Sequence, residues 1–396
     1  MPIKIKKRGK DTYLLSVVHQ QREYTKTIKA ESKADAERFW KLFAAEVIQG
    51  KAISGDTPKM TLTEFFAYWK HHHAEKNLER TTIAYNNSLF ARIGAALGHL
   101  KMDKVLPRHV FAFLDQLAAP NASHDDKPLS LNTIRKHYNL LKTLFNSAER
   151  WQFIINNPMS KITPPKQERT NKKILDENSM ALLLEKLAEE PIKHQLWVLL
   201  AFSRGLRREE IFGLQWGDID FEKNKMTIAR AAVYVPKEGI IIKDTKSDNS
   251  YRTLSLPSDI AAMLRLWREE IRTTAKRRNK RRKVIRLDDP ASAEKWVFSK
   301  FDGSVGHPHS FNTFLRLFRI DNNFPAVSPH LLRHMTGSYL LNSGLDIAAV
   351  SAELGHSNKA FTMKTYIHEL ESTKDHSALI MQDILDNLKS GRKKQQ

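Results

Sequence analysis

Cysteine is missing altogether: none of the 396 residues is one. That removes disulfides, thiol catalysis and cysteine-held zinc, and it fits a reducing cytoplasm. Long apolar runs are missing too. The longest, LWVLLAF from Leu196 to Phe202, is far too short to span a bilayer. The opening MPIKIKKRGK is basic with no apolar run behind it, so no secretory signal is expected. Neither a Walker loop nor a G-x-G-x-x-G stretch occurs, so nothing suggests nucleotide fuel. Negative charge is scarce. Against 65 Lys and Arg stand 44 Asp and Glu, a formal net charge of +21 and a pI near 9.8. A surplus that large, spread along the chain, predicts a polyanionic partner, with nucleic acid ahead of membrane.

What is present divides into three parts. Residues 1–52 read as a small sheet and one helix. IKIK (Ile3–Lys6), TYLLSVV (Thr12–Val18) and REYTKTI (Arg22–Ile28) are rich in β-formers. A helix starts near Ser32, with Ala36, Phe39, Trp40, Phe43 and Val47 on one face and Gly50 as its stop. Lys4 and Lys6 make the sheet edge basic, which reads as a solvated face or, given the total charge, as a phosphate-contacting one. After the linker SGDTPK, residues 60–163 read as all-helical. Thr61 is a helix cap, and Ile134, Tyr138, Leu141 and Phe145 form one apolar stripe. Arg135, Lys136 and Lys142 face elsewhere, toward solvent or DNA. His71, His72 and His73 are adjacent and point in different directions on a helix, so they read as surface and not as a metal site. The stretch NNPMSKITPPKQERTNKK (156–173) is the strongest boundary in the chain. Residues 174–388 then run helices, strands between Lys225 and Leu256, and helices again. SGRKKQQ (390–396) closes the chain, and 389–396 read as a disordered basic tail.

Four stretches of the third part carry chemistry only in combination. In SRGLRREE, Gly205 permits a tight turn, and Arg207 and Glu210 lie three apart, so the carboxylate would orient the guanidinium. Alone, that pair is a surface salt bridge of little consequence. In SPHLLRH, His330 and Arg333 are one helical turn apart after Pro329. In KDTKSDNSYRTLSLP, Lys246 lies in a turn between two β-type segments, where a lysine at a hairpin tip is usually just solvated. In LGHSNKAFTMKTYIH, a helix ends at Gly355, His356 follows, and Tyr366 comes ten residues later. A free phenol has a pKa near 10 and attacks poorly at neutral pH. It becomes useful where cations stabilise the phenolate and a base takes the proton. Two guanidiniums, two imidazoles, one ammonium and one phenol make a complete set for phosphoryl transfer without a metal.

The order G-L-R-x-x-E, T-K, H-x-L-R-H, L-G-H-S and T-x-x-x-Y-x-H resembles the tyrosine recombinases, in particular the integrases of phages and mobile elements. Residues 97–117 are similar to their helical core-site-binding domain, and the first fifty residues to their arm-site-binding domain. The resemblance implies a mixed, mainly α fold. It would comprise a small β3-α arm-binding domain (1–52), an all-helical core-binding domain (60–163) and an α+β catalytic domain (174–388). It implies that Arg207 and Arg333 clamp the scissile phosphate while Glu210 supports Arg207. His330 would be the base and Lys246 the acid. His356 would contact a phosphate oxygen, and Tyr366 would attack to give a 3′-phosphotyrosine without ATP or metal. It also implies duplex DNA attachment sites as partners, a homo-tetramer on DNA, accessory DNA-bending proteins, no membrane and no cofactor.

Two departures stand out. The spacer from His356 to Tyr366 is one residue longer than is usual in the family. One residue turns a helix by about 100°, so an irregular stretch before Tyr366 is expected. Arg204 stands where the family commonly has a small hydroxyl residue, and a further phosphate contact is one reading of it. His334 and His368 read as structural, and LGHL (Leu97–Leu100) as a packing decoy. KRRNKRRK (276–283) reads as a basic segment after a helix over 258–274, facing solvent or the DNA backbone, or as a nuclear-localisation-like tract. Leu379, Ile384, Leu385 and Leu388 form a C-terminal apolar face that would dock on a neighbour or on its own domain. Two rivals are a nicking-closing enzyme of the type IB topoisomerase kind and a non-catalytic basic DNA-binding protein.

Overall fold

A computed structural model describes residues 3–50, 59–123, 126–167, 175–244, 251–281, 295–300 and 302–355. The chain divides into two compact units, 1–170 and 171–396.

The first unit begins with three antiparallel strands, β1 (Lys4–Lys7), β2 (Thr12–His19) and β3 (Arg22–Lys29), in the order β1-β2-β3. Gln20 and Gln21, both at positive φ (49° and 63°), make the tight turn that suits a two-residue hairpin. Helix α1 (Lys33–Ile48) starts at Ser32, whose hydroxyl accepts the Asp35 N–H at 3.1 Å. Leu15, Val17, Trp40, Phe43 and Val47 form the core under the sheet, and the Trp40 indole donates to the Ser16 carbonyl at 2.7 Å. Phe39 departs from the expected apolar face: it is 46% exposed. It lies at the margin of the stripe, beyond the reach of a sheet only three strands wide. Lys4 and Lys6 are exposed on the edge strand β1.

Helices α2 (Leu62–Trp69), α3 (Glu75–Asn77), α4 (Arg80–Leu97), α5 (Pro107–Ala118) and α6 (Leu131–Arg150) build a separate apolar core in the same unit. Thr61 and Glu64 cap α2 reciprocally: the Thr61 N–H donates to the Glu64 carboxylate at 2.7 Å, and the Glu64 N–H to the Thr61 hydroxyl at 3.2 Å. A π-helical turn, Lys70–Ala74, carries the three histidines. His71 and His72 are exposed, His72 lies over Tyr68 and His73 beside Trp69, and no metal-binding cluster occurs among the described residues. The decoy LGHL is packing: a β-carbon on Gly98 would strike Thr63 and the Gly94 carbonyl, and Leu97 is buried. The stripe Ile134, Tyr138, Leu141 and Phe145 is buried in full. Two contacts fasten the chain beyond the bundle to α6. The Tyr138 hydroxyl donates to the Ile162 carbonyl at 3.0 Å, and Arg135 donates to the Pro165 carbonyl at 2.5 Å.

The second unit holds α7 (Glu177–Leu187), α8 (Ile192–Ser203), α9 (Arg208–Gly213), α10 (Ser258–Arg281), α11 (His309–Asp321), α12 (Pro329–Asn342) and α13 (Ile347–Leu354). Among the described residues, five short strands lie between α9 and α10. β4 (Ile219–Asp220), β5 (Lys225–Ile228) and β8 (Arg252–Ser255) pair in that order, and β6 (Arg230–Val235) pairs with β7 (Gly239–Asp244). The core gathers Trp197, Leu200, Ile211, Phe212, Phe298, Phe311, Leu332 and Met335. The described strands on either side of residues 245–250, β7 and β8, pair in different sheets. One expectation changes here. Helix α10 does not end at Thr274 but continues to Arg281, through most of the basic run. No helix among the described residues is long and apolar enough to cross a membrane.

Candidate active site

The site is assembled where α8 turns into α9. Gly205 takes φ +59°, and a β-carbon there would strike Leu354. Only glycine meets both demands without strain. Arg207 then adopts an extended conformation (φ −70°, ψ 149°) and precedes α9 as its N-cap. The sequence suggested that Arg207 and Glu210 share a helical face. In fact Glu210, at the third helical position, reaches back. One carboxylate oxygen accepts the Arg207 main-chain N–H at 2.9 Å, and the other accepts its guanidinium at 2.7 Å. Nor is this a surface salt bridge, because Glu210 is only 3% exposed.

Two further arginines surround that carboxylate. Arg252 on β8 grips both oxygens, at 3.2 and 2.9 Å. Arg333 on α12 lies 4.0 Å from one of them. Arg252 and Arg333 are both buried. Burial alone would push the Glu210 carboxyl up; the Arg252 guanidinium above all, with Arg207 and Arg333, reverses this and holds it at about 2. Glu210 therefore stays ionised and anchors three cations.

The same three arginines grip the end of α13, which closes at Gly355 in the left-handed conformation. Arg252 donates to the Glu353 carbonyl at 3.0 Å, Arg333 to Leu354 at 2.5 Å and Arg207 to Gly355 at 3.1 Å. Arg333 also donates to the Gly205 carbonyl at 2.5 Å. Three consecutive carbonyls that a helix leaves without intrahelical donors are thus satisfied by three different side chains. Arg204 joins this brace. It donates to the Glu353 carboxylate at 2.9 Å and to the Ser255 carbonyl at 3.1 Å.

Arg207, whose side chain keeps 39% of its exposure, opens on a cleft of about 370 Å³ with Arg208, Glu209, Asn312, Ser328, Pro329 and His330. Ser328 caps α12 by accepting the Leu331 N–H at 3.2 Å. Its first turn therefore sends His330 outward to the cleft while Arg333 turns inward. Arg208 is held by Glu209 at 2.5 Å and by Asn312 at 2.6 Å. A guanidinium with its carboxylate behind it, and an imidazole beside it, can meet a tetrahedral anion and move a proton next to it.

The structure thus brings together Arg207, Glu210, His330 and Arg333. Lys246, His356, Tyr366 and His368 lie outside the described residues, as do the expected irregular stretch before Tyr366, the C-terminal apolar face and the tail. His334 is half-buried on α12 beside Arg333. Arg252 went unnoticed in the sequence. Its signal was period-two alternation: in R-T-L-S-L it shares the inward face with Leu254 and Leu256, and an arginine there requires a buried carboxylate.

Fold and site together define a mainly helical, strongly basic protein with a centre of three arginines around a buried carboxylate. The Phage integrase family pattern covers residues 173–373, and the Phage integrase SAM-like domain pattern covers residues 62–164. The chain belongs to the phage integrase family, and is a tyrosine recombinase. It is 28% identical over 272 residues to a tyrosine recombinase XerC-like protein of Caldanaerobacter subterraneus subsp. tengcongensis, covering 64% of this chain and 67% of that one. It is 20% identical over 257 residues to the ICEBs1 integrase of Bacillus subtilis, covering 65% and 67%. Among solved structures, the fold is similar to the Tn1549 transposon integrase in complex with a circular intermediate DNA. There the TM-score is 0.63 at 19% identity, over 80% of this chain and 99% of that one. It is also similar to a lambda integrase tetramer bound to a Holliday junction, with a TM-score of 0.54 at 13% identity, over 91% and 94%. Family membership favours recombination over the nicking-closing and non-catalytic readings.

Proposed function

We propose that the chain is a site-specific DNA recombinase that breaks and rejoins strands through Tyr366. The observation that carries this is the cleft on which Arg207 and His330 open together, with Glu210 and Arg333 buried behind it. Arg207 and Arg333 neutralise the non-bridging oxygens of the scissile phosphate, and His356 donates to one of them. Both terminal amino groups of Arg333 already donate to carbonyls. A guanidinium has five N–H donors, which suits it to more than one acceptor.

The Tyr366 oxygen attacks phosphorus and its proton passes to His330. The bond to the 5′ oxygen breaks, and that oxygen takes a proton from Lys246. The product is a 3′-phosphotyrosine and a free 5′-hydroxyl. A 5′-hydroxyl from a second duplex reverses the step and releases the tyrosine. One phosphoester replaces another throughout, so resealing needs no nucleotide fuel.

Residues 1–52 and 60–163 act as separate DNA-binding domains for arm and core sites, ahead of the catalytic domain over 174–388. Their distinct apolar cores support that division within the first unit. Lys4 and Lys6 on the exposed edge of β1 contact arm-site phosphates. Exposed Lys136, which lies over the Tyr85 ring, contacts the core site, while Arg135 holds the Pro165 carbonyl alongside it. The lambda integrase tetramer on a Holliday junction supports a homo-tetramer on DNA as the working assembly. Accessory DNA-bending proteins assist it, and the reaction takes place in the cytoplasm.

The test uses a duplex carrying the crossover site with a nick beside the cleavage position, incubated in EDTA. The wild-type protein should become covalently joined to DNA, as a species that survives denaturing electrophoresis. Tyr366→Phe should bind the duplex and form no such species. An adduct with the Phe variant would remove Tyr366 as nucleophile. Relaxation of a plasmid without any attachment site would favour the nicking-closing rival.

A further inference from the structure

We propose that Arg252 is a positioning residue for strand cleavage: it holds the Glu210 carboxylate by both oxygens, so that Arg207 meets the scissile phosphate as an oriented cation with most of its charge unspent. The proposal rests on the strand-transfer reading above. No motif points to Arg252; the geometry does.

Glu210 carries one negative charge and is shared unequally. The Arg252 guanidinium engages both oxygens and the Arg207 guanidinium only one, the other taking the Arg207 main-chain N–H. Arg252 is 8% exposed and donates a third time, to the Glu353 carbonyl at 3.0 Å. It is therefore walled off from the cleft, whereas Arg207 opens on it. The inner arginine neutralises the carboxylate, and the outer one is left for an anion. A second consequence follows from place in the chain. Arg252 starts β8, six residues after Lys246. It fastens the strand that follows the proposed general acid to the carboxylate that orients Arg207.

Without Arg252, the buried carboxylate loses its two-pronged partner. It then either takes up a proton nearer the ordinary range or draws Arg207 inward to compensate. Both outcomes slow cleavage without removing a DNA contact. The charged groups facing Glu210 are Arg207 before α9, Arg252 on β8 and Arg333 on α12. Glu353 on α13 directs its own carboxylate to Arg204. Protonation of the base His330 is common to both proteins, so a variant-to-wild-type ratio of rates that falls with acid reports Glu210 and its partners.

The experiment measures single-turnover adduct formation on the nicked duplex from pH 5 to 8, with DNA affinity and thermal melting measured alongside. Arg252→Gln should slow the reaction by about 10- to 100-fold at neutral pH, with affinity changed by no more than about twofold. Its rate relative to wild type should fall further as pH drops toward 5. Arg252→Lys, which restores the charge without the fork, should recover part of the rate and part of the acid tolerance. Should Arg252→Gln melt before the assay temperature, the Lys variant decides by the same two readouts. A folded variant with the wild-type rate and pH profile would overturn the proposal. So would an equal loss at every pH in both variants, which marks a merely structural arginine. Absence of adduct from the wild-type protein removes the strand-transfer reading itself, and this proposal with it.

Discussion

Leu354 packs over the α-carbon of Gly205, although the two are far apart in sequence and belong to different helix ends. The contact joins the turn before Arg207 to the last residue of α13. Any side chain at 205 must push Leu354 aside and also accept φ +59°.

Gly205→Ala is therefore expected to be costly beyond its size. The conformational strain alone is about 1 kcal/mol, and displacement of Leu354 adds to it. The melting temperature should fall by several degrees, with a larger fractional loss of cleavage than of DNA binding. A melt unchanged from wild type would contradict the packing described.

Glu210 makes a prediction about acid. Its folded-state pKa of about 2 lies below the ordinary value near 4.3. A depressed carboxylate stabilises the fold fully above its unfolded pKa, and the contribution disappears as pH falls from there through the folded value. Urea unfolding of the catalytic unit should thus lose on the order of 2–3 kcal/mol from this group between pH 5 and pH 2. Glu210→Gln leaves three guanidiniums around a neutral amide, and should cost about 3–5 kcal/mol at neutral pH. That variant should also lack this part of the acid dependence. Retention of the full dependence by the Gln variant would show that another carboxylate carries it.

Lys246 as general acid predicts a selective rescue. Lys246→Ala should slow cleavage of an ordinary duplex, because the 5′ oxygen must leave without a proton. A 5′-phosphorothiolate at the scissile position presents sulfur, which leaves well unprotonated, and should restore most of the rate. Equal impairment on both substrates would assign the proton to another group.

What the sequence made legible was mostly local. Ser32 and Thr61 cap helices as expected, because a cap depends on residues within three positions of it. Gly205, Gly355 and the turn from His330 to Arg333 were readable for the same reason. Arg252 was not, since its carboxylate lies 42 residues away and nothing nearby in sequence specifies it. The brace made by Arg204 spans 149 residues to Glu353. Alternating residues announced the strands before and after residues 245–250 but not that they pair in different sheets. Phe39 was misplaced because helical periodicity gives a direction, while the width of the opposing sheet decides how far burial extends.

The grip on the end of α13 has an electrostatic meaning of its own. The C-terminal pole of a helix carries roughly half a negative charge. Arg207, Arg252 and Arg333 deliver their donors to the three carbonyls where that pole is concentrated. The cluster is thus three cations against an anion and a half. The backbone itself supplies a resident counter-ion, made of oxygens like those of a phosphate. The guanidiniums hold their alignment against that internal stand-in, so the order they bring to a ligand is established when the chain folds.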